Sequence, residues 1–314
     1  MALPAALAGR LRLPVVVAPM FLVSGPDLVV AACRAGILGT FPALNQRTTA
    51  GLEEWLGRIE TTLGPDDAPF GVNLIVHRTN TRVADDLAVI VRHRVPVVIT
   101  SLGAAPEVVA AVHSYGGVVF HDVTNAHHAG KASAAGVDGL ILVAAGAGGH
   151  AGSLSPFALM AEVRAGFSGT ILLAGALSSG SDVLAARAMG ADLAYLGTRF
   201  VATTESLASD AYRQQVVAAA AADIVYTASV STIPANFLRR SLELAGVDPD
   251  AAPGPVDLTH VTRPSDSDAR AWRDIWSAGQ GVAGIDAVLP TREVVERLAQ
   301  EYADARSRLL ADGT

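Results

Sequence analysis

The chain has 314 residues and a formal charge of −7, so it presents no net basic surface to a nucleic-acid backbone or an anionic membrane. Half of its residues are hydrophobic but only 5% are aromatic, and Ala, Val, Leu and Gly dominate, which is the composition of an α/β protein acting on small molecules. The length suits one α/β barrel with an insertion, or two ordinary domains. The single cysteine, Cys33, cannot form an internal disulfide and lies in an Ala-rich helical stretch, where a buried inert thiol in a reducing cytoplasm is the expectation. The opening stretch MALPAALAGRLRLP has no basic region before its apolar run, and no stretch of roughly 18 uncharged apolar residues follows, so neither export nor membrane insertion is expected.

In chain order, eight short apolar runs read as strands: Val15–Met20, Gly36–Pro42, Phe70–Val76, Pro96–Leu102, Val118–Val123, Gly139–Ala145, Thr170–Ala176 and Leu193–Phe200. They are continuous rather than alternating, as in parallel strands buried on both faces. Helical spacing fills the gaps over Asp27–Arg34, Thr49–Thr62, Thr81–His93, Pro106–Tyr115, Ala126–Ala135, Pro156–Ala165 and Ser181–Met189. Eight strands with helical crossovers predict a closed (β/α)₈ TIM barrel. An open doubly wound sheet would carry a Gly-rich turn after its first strand, and Ala18-Pro19-Met20-Phe21-Leu22 is not one.

After Phe200 the repeat breaks. Glu205–Ala222 reads as a long helix, Asp223–Arg270 shows no strand runs, and Gly246–Pro264 reads as a surface loop rich in Asp, Pro and Gly. This predicts a small, mainly helical insertion over 207–274, with 1–206 and 275–314 forming the barrel. The last helix, Thr291–Leu310, carries Val294, Val295, Leu298, Tyr302 and Leu309 at helical spacings and is expected to pack on the barrel.

Barrel chemistry gathers at the carboxyl ends of the strands. Those ends deliver Pro19-Met20-Phe21, Asn73, Thr100-Ser101 and His121-Asp122, and the sixth is the richest. It runs into Gly146-Ala147-Gly148-Gly149-His150-Ala151-Gly152, one imidazole on a turn almost without side-chain bulk. A solvated loop histidine is the plain alternative, but the strand-end position favours His150 as a general base or a hydrogen-bond donor at a reacting centre. The seventh and eighth strands end in Gly175-Ala176 and Gly197-Thr198, where glycine lets backbone N–H groups approach a phosphate. Tight turns that every barrel needs are the alternative there. Lys131 by itself reads as a surface charge, and no Cys/His/carboxylate cluster has metal-ligand spacing, so no metal is expected.

Taken together, Ala18-Pro19-Met20, Gly71-Val72-Asn73-Leu74, Gly148-Gly149-His150-Ala151-Gly152, Gly190-Ala191-Asp192 with Gly197-Thr198-Arg199-Phe200, and Ser277-Ala278-Gly279-Gln280-Gly281 resemble the nitronate monooxygenase family, over nearly the whole chain. The resemblance implies an FMN-binding barrel with a second small helical domain. It places Pro19, Met20 and Phe21 along the isoalloxazine, Asn73, Lys131 and Gly149 at the flavin, Gly175, Ala176, Gly197 and Thr198 at its phosphate, and His150 as the catalytic histidine. It further implies oxidation of alkyl nitronates, or of nitroalkanes once a base removes the α-proton, with molecular oxygen. The expected partners are thus a small molecule and O₂, in a cytoplasmic protein free to form a homo-oligomer. Three rivals stand beside this reading. One is a flavin enoyl-acyl-carrier reductase using NAD(P)H, which resembles the same barrel and Gly-Gly-His turn; the second is a non-catalytic flavin- or phosphate-binding barrel; the third is a barrel lyase without flavin.

Overall fold

All eight apolar runs pair as parallel strands in the computed structural model, which describes residues 3–103, 105–230, 233–250 and 274–311. The barrel strands are β1 (Val15–Val17), β2 (Gly39–Pro42), β3 (Phe70–Ile75), β4 (Val97–Ser101), β5 (Val118–Val123), β6 (Gly139–Val143), β8 (Thr170–Ala174) and β9 (Leu193–Leu196). Their order is β1-β9-β8-β6-β5-β4-β3-β2, and a bridge between Val16 and Leu38 closes the ring. Inside it, Val16, Leu38, Val97, Ile99, Phe120, Ile141, Leu172 and Leu193 fill the lumen, and Leu7 plugs it. A second, larger core lies between the strands and the helices, which is why each strand reads as apolar on both faces.

The intervening helices begin where the side chains can satisfy free N–H groups. Thr48 caps Thr49–Thr62, Asn125 caps Ala126–Ala134, and Ser179 with Asp182 forms a capping box on Gly180–Ala188. Proline opens Pro26–Arg34, Pro106–His113 and Pro156–Gly166.

Several runs extend further in the sequence than the strands they form. The first stops at Val17 rather than Met20, because Pro19 has no N–H for a ladder and side chains hold the next residues in a loop. The eighth stops at Leu196, and Thr198–Val201 turns helical instead of continuing to Phe200. The helix expected over Glu205–Ala222 is limited to Asp210–Ala218, since Ser209 caps it and the Leu207 N–H donates to the Val23 carbonyl (2.8 Å).

The expectation of no strands after Asp223 is overturned. β10 (Ile224–Thr227) and β11 (Ala235–Leu238) pair antiparallel, and β11 also pairs with β7 (Gly149–His150), so three short strands form a sheet at the barrel mouth. These strands are four residues or fewer, too short for a periodic signal. Most of the loop expected over Gly246–Pro264 lies outside the described residues. The last helix, Thr291–Ala311, buries Val294, Val295 and Leu298 as expected, but Leu309 is exposed. No described helix is long and apolar enough to cross a membrane.

Candidate active site

A cavity of about 440 Å³ opens at the carboxyl ends of the barrel strands, between them and the small sheet. Its first wall is the loop after β1. Asn45 staples this loop: its amide nitrogen donates to the carbonyls of Met20 (3.1 Å) and Ser24 (2.7 Å), and its oxygen accepts from the Leu22 N–H (2.9 Å). These bonds hold Pro19, Met20 and Phe21 against the cavity. From β3, Asn73 donates through its amide nitrogen to the Ile99 carbonyl (3.2 Å) and to Ser101 Oγ (3.3 Å). Its amide oxygen is the end left for a ligand.

The turn after β6 carries His150. Gly146 and Gly149 adopt φ of +84° and +69°, which residues with a Cβ rarely take. The turn is held from three sides. Asn236 on β11 donates to the Ala147 carbonyl (2.6 Å), Tyr226 on β10 donates to the Ala151 carbonyl (3.0 Å), and His150 itself is registered with Ala235. The imidazole is half-buried at the cavity wall, and burial pushes its pKa down to about 4, so the ring is neutral near pH 7.

The segment Ser277–Gly281 lies against the same turn. The Gln280 N–H donates to the Gly146 carbonyl (2.9 Å), and a Cβ on Gly279 would lie 2.5 Å from that oxygen. The approach is backbone to backbone, and it needs glycine. Gly279 N–H donates to Thr198 Oγ1 (2.8 Å), which leaves the hydroxyl hydrogen able to donate to a ligand. Gly175 and Ala176 complete the turn after β8, with Ala176 in the left-handed region at φ +56°.

The helix Gly180–Ala188 that follows does not present its N-terminus to the cavity. The Ser178 and Ser179 N–H groups donate to Asp182 (2.9 and 2.8 Å), and the Gly180 N–H donates to Glu301 (2.7 Å). A phosphate therefore depends on the backbone at Gly175-Ala176 and Gly197-Thr198. Among the described lining residues there is no lysine or arginine to assist.

Of the residues expected at the site, Pro19, Met20, Phe21, Asn73, Gly149, His150, Gly175, Ala176, Gly197 and Thr198 all line this cavity. Lys131 does not. It is exposed on the helix Ala126–Ala134, outside the lining of this cavity. Sequence reasoning missed Asn45 and Asn236, whose work is to hold backbone, and Tyr212 and Trp276, which stack at 5.2 Å on the cavity wall. It noted Asp122 at a strand end without giving it a task. Among the described residues no group of three His, Cys, Asp or Glu side chains could hold a metal ion.

A (β/α)₈ barrel with a glycine-bordered cavity and one histidine at its mouth defines the class: a barrel whose ligand cavity lies at the carboxyl ends of its strands. The chain belongs to the nitronate monooxygenase family, whose family model matches residues 77–301. That family consists of flavin-dependent oxidoreductases. A nitronate monooxygenase of Paraburkholderia phytofirmans is 26% identical, with 94% of each chain covered. A (3aS,4S,5R,7aS)-5-hydroxy-7a-methyl-1-oxo-octahydro-1H-indene-4-carboxyl-CoA dehydrogenase of Mycobacterium tuberculosis is 31% identical over 73% of this chain, which spans 64% of that relative's length. Among solved structures, a nitroalkane oxidase from Streptomyces ansochromogenes superposes with a TM-score of 0.85 at 28% identity, covering 97% of this chain and 100% of that one.

Proposed function

We propose that the chain binds FMN in the mouth cavity and oxidises an alkyl nitronate, or a nitroalkane, with molecular oxygen. The observation that carries this reading is His150, a neutral imidazole on the cavity wall whose backbone is fixed by β11. The residues present fit a flavin. The volume, the apolar loop of Pro19, Met20 and Phe21, the Asn73 amide oxygen and the two backbone turns after β8 and β9 match a flat polar ring with a phosphate tail.

When bound, the flavin supplies the electron acceptor and the reactivity toward oxygen. The chain supplies position and proton handling. With a nitroalkane, a nitrogen of the neutral His150 ring accepts the α-proton. With a nitronate, already an anion, the ring N–H donates to the nitro oxygens and orients them. Apolar side chains such as Leu44, Val201 and Ile275 around the same cavity keep water scarce at that proton transfer. Thr198 and the turn backbones hold the phosphate without a cationic side chain.

The described part of 207–274 serves here as a cap on the barrel formed by 1–206 and 275–314. A cytoplasmic setting accords with Cys33, whose buried thiol donates to the Pro69 carbonyl and whose pKa is pushed up to about 12 by burial, leaving it unreactive. A homo-oligomer belongs to the same proposal, with gel filtration as its test.

The test of function is oxygen uptake with a short alkyl nitronate and its nitroalkane side by side. Turnover of the nitronate supports the reading, turnover of both adds removal of the α-proton, which His150→Ala then assigns, and turnover of neither sinks it. A second reading, nicotinamide-linked turnover of an acyl thioester, draws on the 31% identity to the mycobacterial CoA-ester dehydrogenase and takes in the acyl-carrier reductase. Anaerobic protein whose flavin bleaches rapidly with NADPH would favour it.

A further inference from the structure

β5 alternates between two environments. Val119 and Val123 face the helices, while Phe120 faces the apolar lumen. Asp122 shares the lumen side with Phe120, two residues nearer the mouth, and lines the cavity. Its Oδ1 is buried without a hydrogen-bond partner, an expensive position for half of an ionised carboxylate.

The surroundings do not repay an ionised group. The neighbouring strands place Ser101 and Val143 at the cavity, and β3 places Asn73 there, all uncharged. The described titratable groups lining the cavity are Asp122, His150, Tyr195 and Tyr212. Of these, Tyr195 on β9 is the one that feels Asp122, and its own pKa is raised by burial and by that carboxyl. His121, next in sequence, points the other way and bonds Thr100 Oγ1 (2.8 Å). Asp122 is therefore a lone carboxyl on the barrel side of a cavity without a cation among its described lining.

We propose that Asp122 is a proton-donating contact to the bound flavin, a neutral carboxyl that hydrogen-bonds the ligand and turns repulsive when it ionises. This rests on the flavin reading of the cavity. Burial pushes the Asp122 pKa up to about 7, so the neutral and ionised forms exchange within an accessible range. A ligand that binds the neutral form raises that pKa further and binds less tightly as pH rises. The carboxyl thus makes flavin affinity depend on pH, at a place where an uncharged residue would not.

The experiment titrates the full chain, freed of flavin, with riboflavin between pH 6 and pH 8.5, reading flavin fluorescence. Riboflavin lacks the phosphate, whose own ionisation would otherwise intrude, and His150 is already neutral throughout. Wild-type affinity is expected to fall about tenfold across this range, in line with the loss of one ligand-linked proton. Asp122→Asn keeps the shape and a donor but cannot ionise, and its affinity is expected to stay level. An infrared carboxylic-acid C=O band present in the wild type at pH 6, reduced at pH 8.5 and absent from Asp122→Asn, is expected alongside. Level wild-type affinity overturns the proposal without any variant, as does an equal pH dependence in Asp122→Asn. Failure of both riboflavin and FMN to bind at any pH would instead remove the flavin reading itself, and this inference with it.

Discussion

The barrel and the small sheet at its mouth border one cavity but are held by different forces. Barrel strands are fixed collectively, by a closed hydrogen-bond ring and two layers of buried aliphatic side chains, so no single contact decides where Asn73 or Gly175 sits. The turn carrying His150 is fixed by a few individual contacts: the pairing with β11, the Asn236 bond, the Tyr226 bond and the approach of Gly279. The chemistry is thus placed on the less redundant of the two regions. Single substitutions there should change activity more than they change stability.

The largest effect tests that placement directly. His150→Ala is expected to lower turnover of a nitroalkane by roughly two to four orders of magnitude, the range for a positioned general base. A nitronate, which needs no deprotonation, should lose much less. In steady-state rates, equal losses on the two substrates would remove the base role. The pH profile gives a second reading. A ring with its pKa lowered to about 4 is neutral above that value, so nitroalkane kcat/KM should fall on the acid side only as pH approaches 4, not near 6.5. The same shift makes stability rise with pH between about 4 and 6.5, because the unfolded histidine binds the proton that the folded one refuses.

Next comes the backbone contact behind the turn. Gly279→Ala places a Cβ 2.5 Å from the Gly146 carbonyl and 2.7 Å from the Gly148 nitrogen, and neither backbone can swing aside as a side chain would. A loss of ~1–3 kcal/mol in chemical unfolding is expected from such overpacking, with weaker flavin binding. An unchanged unfolding midpoint would show that Ser277–Gly281 is not packed on the turn. Smaller again, Asn236→Ala removes one buried hydrogen bond to the Ala147 carbonyl, for ~1–3 kcal/mol. It should depress nitroalkane turnover while leaving flavin affinity within a few-fold, since the barrel still holds Asn73 and Gly175. Equal losses in both would erase the distinction between the two regions.

This contrast also explains what could be read from the sequence. Eight apolar runs at regular intervals announce a barrel because every strand is buried on both faces, and the helix Thr49–Thr62 falls where its spacing and its Thr48 cap place it. Their carboxyl ends then place Asn73, His150, Gly175 and Gly197 around one mouth. What stayed hidden lacks a period. β10 and β11 have four residues each, β11 pairs with Gly149–His150 some eighty-five residues earlier, and the Tyr226 to Ala151 bond spans seventy-five. Asn45 and Asn236 act through backbone carbonyls remote in sequence, and no local pattern marks an asparagine as a staple.

The smallest expected effect concerns Lys131, the residue assigned to the flavin by resemblance alone. Its helix, Ala126–Ala134, follows β5 on the outside of the barrel, with Ala129 and Ala132 facing the core. Those two residues lie two before and one after Lys131, which places the lysine on the opposite, exposed side of the helix. Lys131→Gln is therefore expected to leave FMN affinity unchanged within twofold, at low salt and at high salt. A phosphate contact by an ammonium group would instead show as a clear loss of FMN binding, with riboflavin unaffected, and the loss would shrink as salt screens it. That pattern would mean the flavin-loaded chain brings this helix to the mouth, and the outer layer of the barrel would then share with the small sheet the task of holding the ligand.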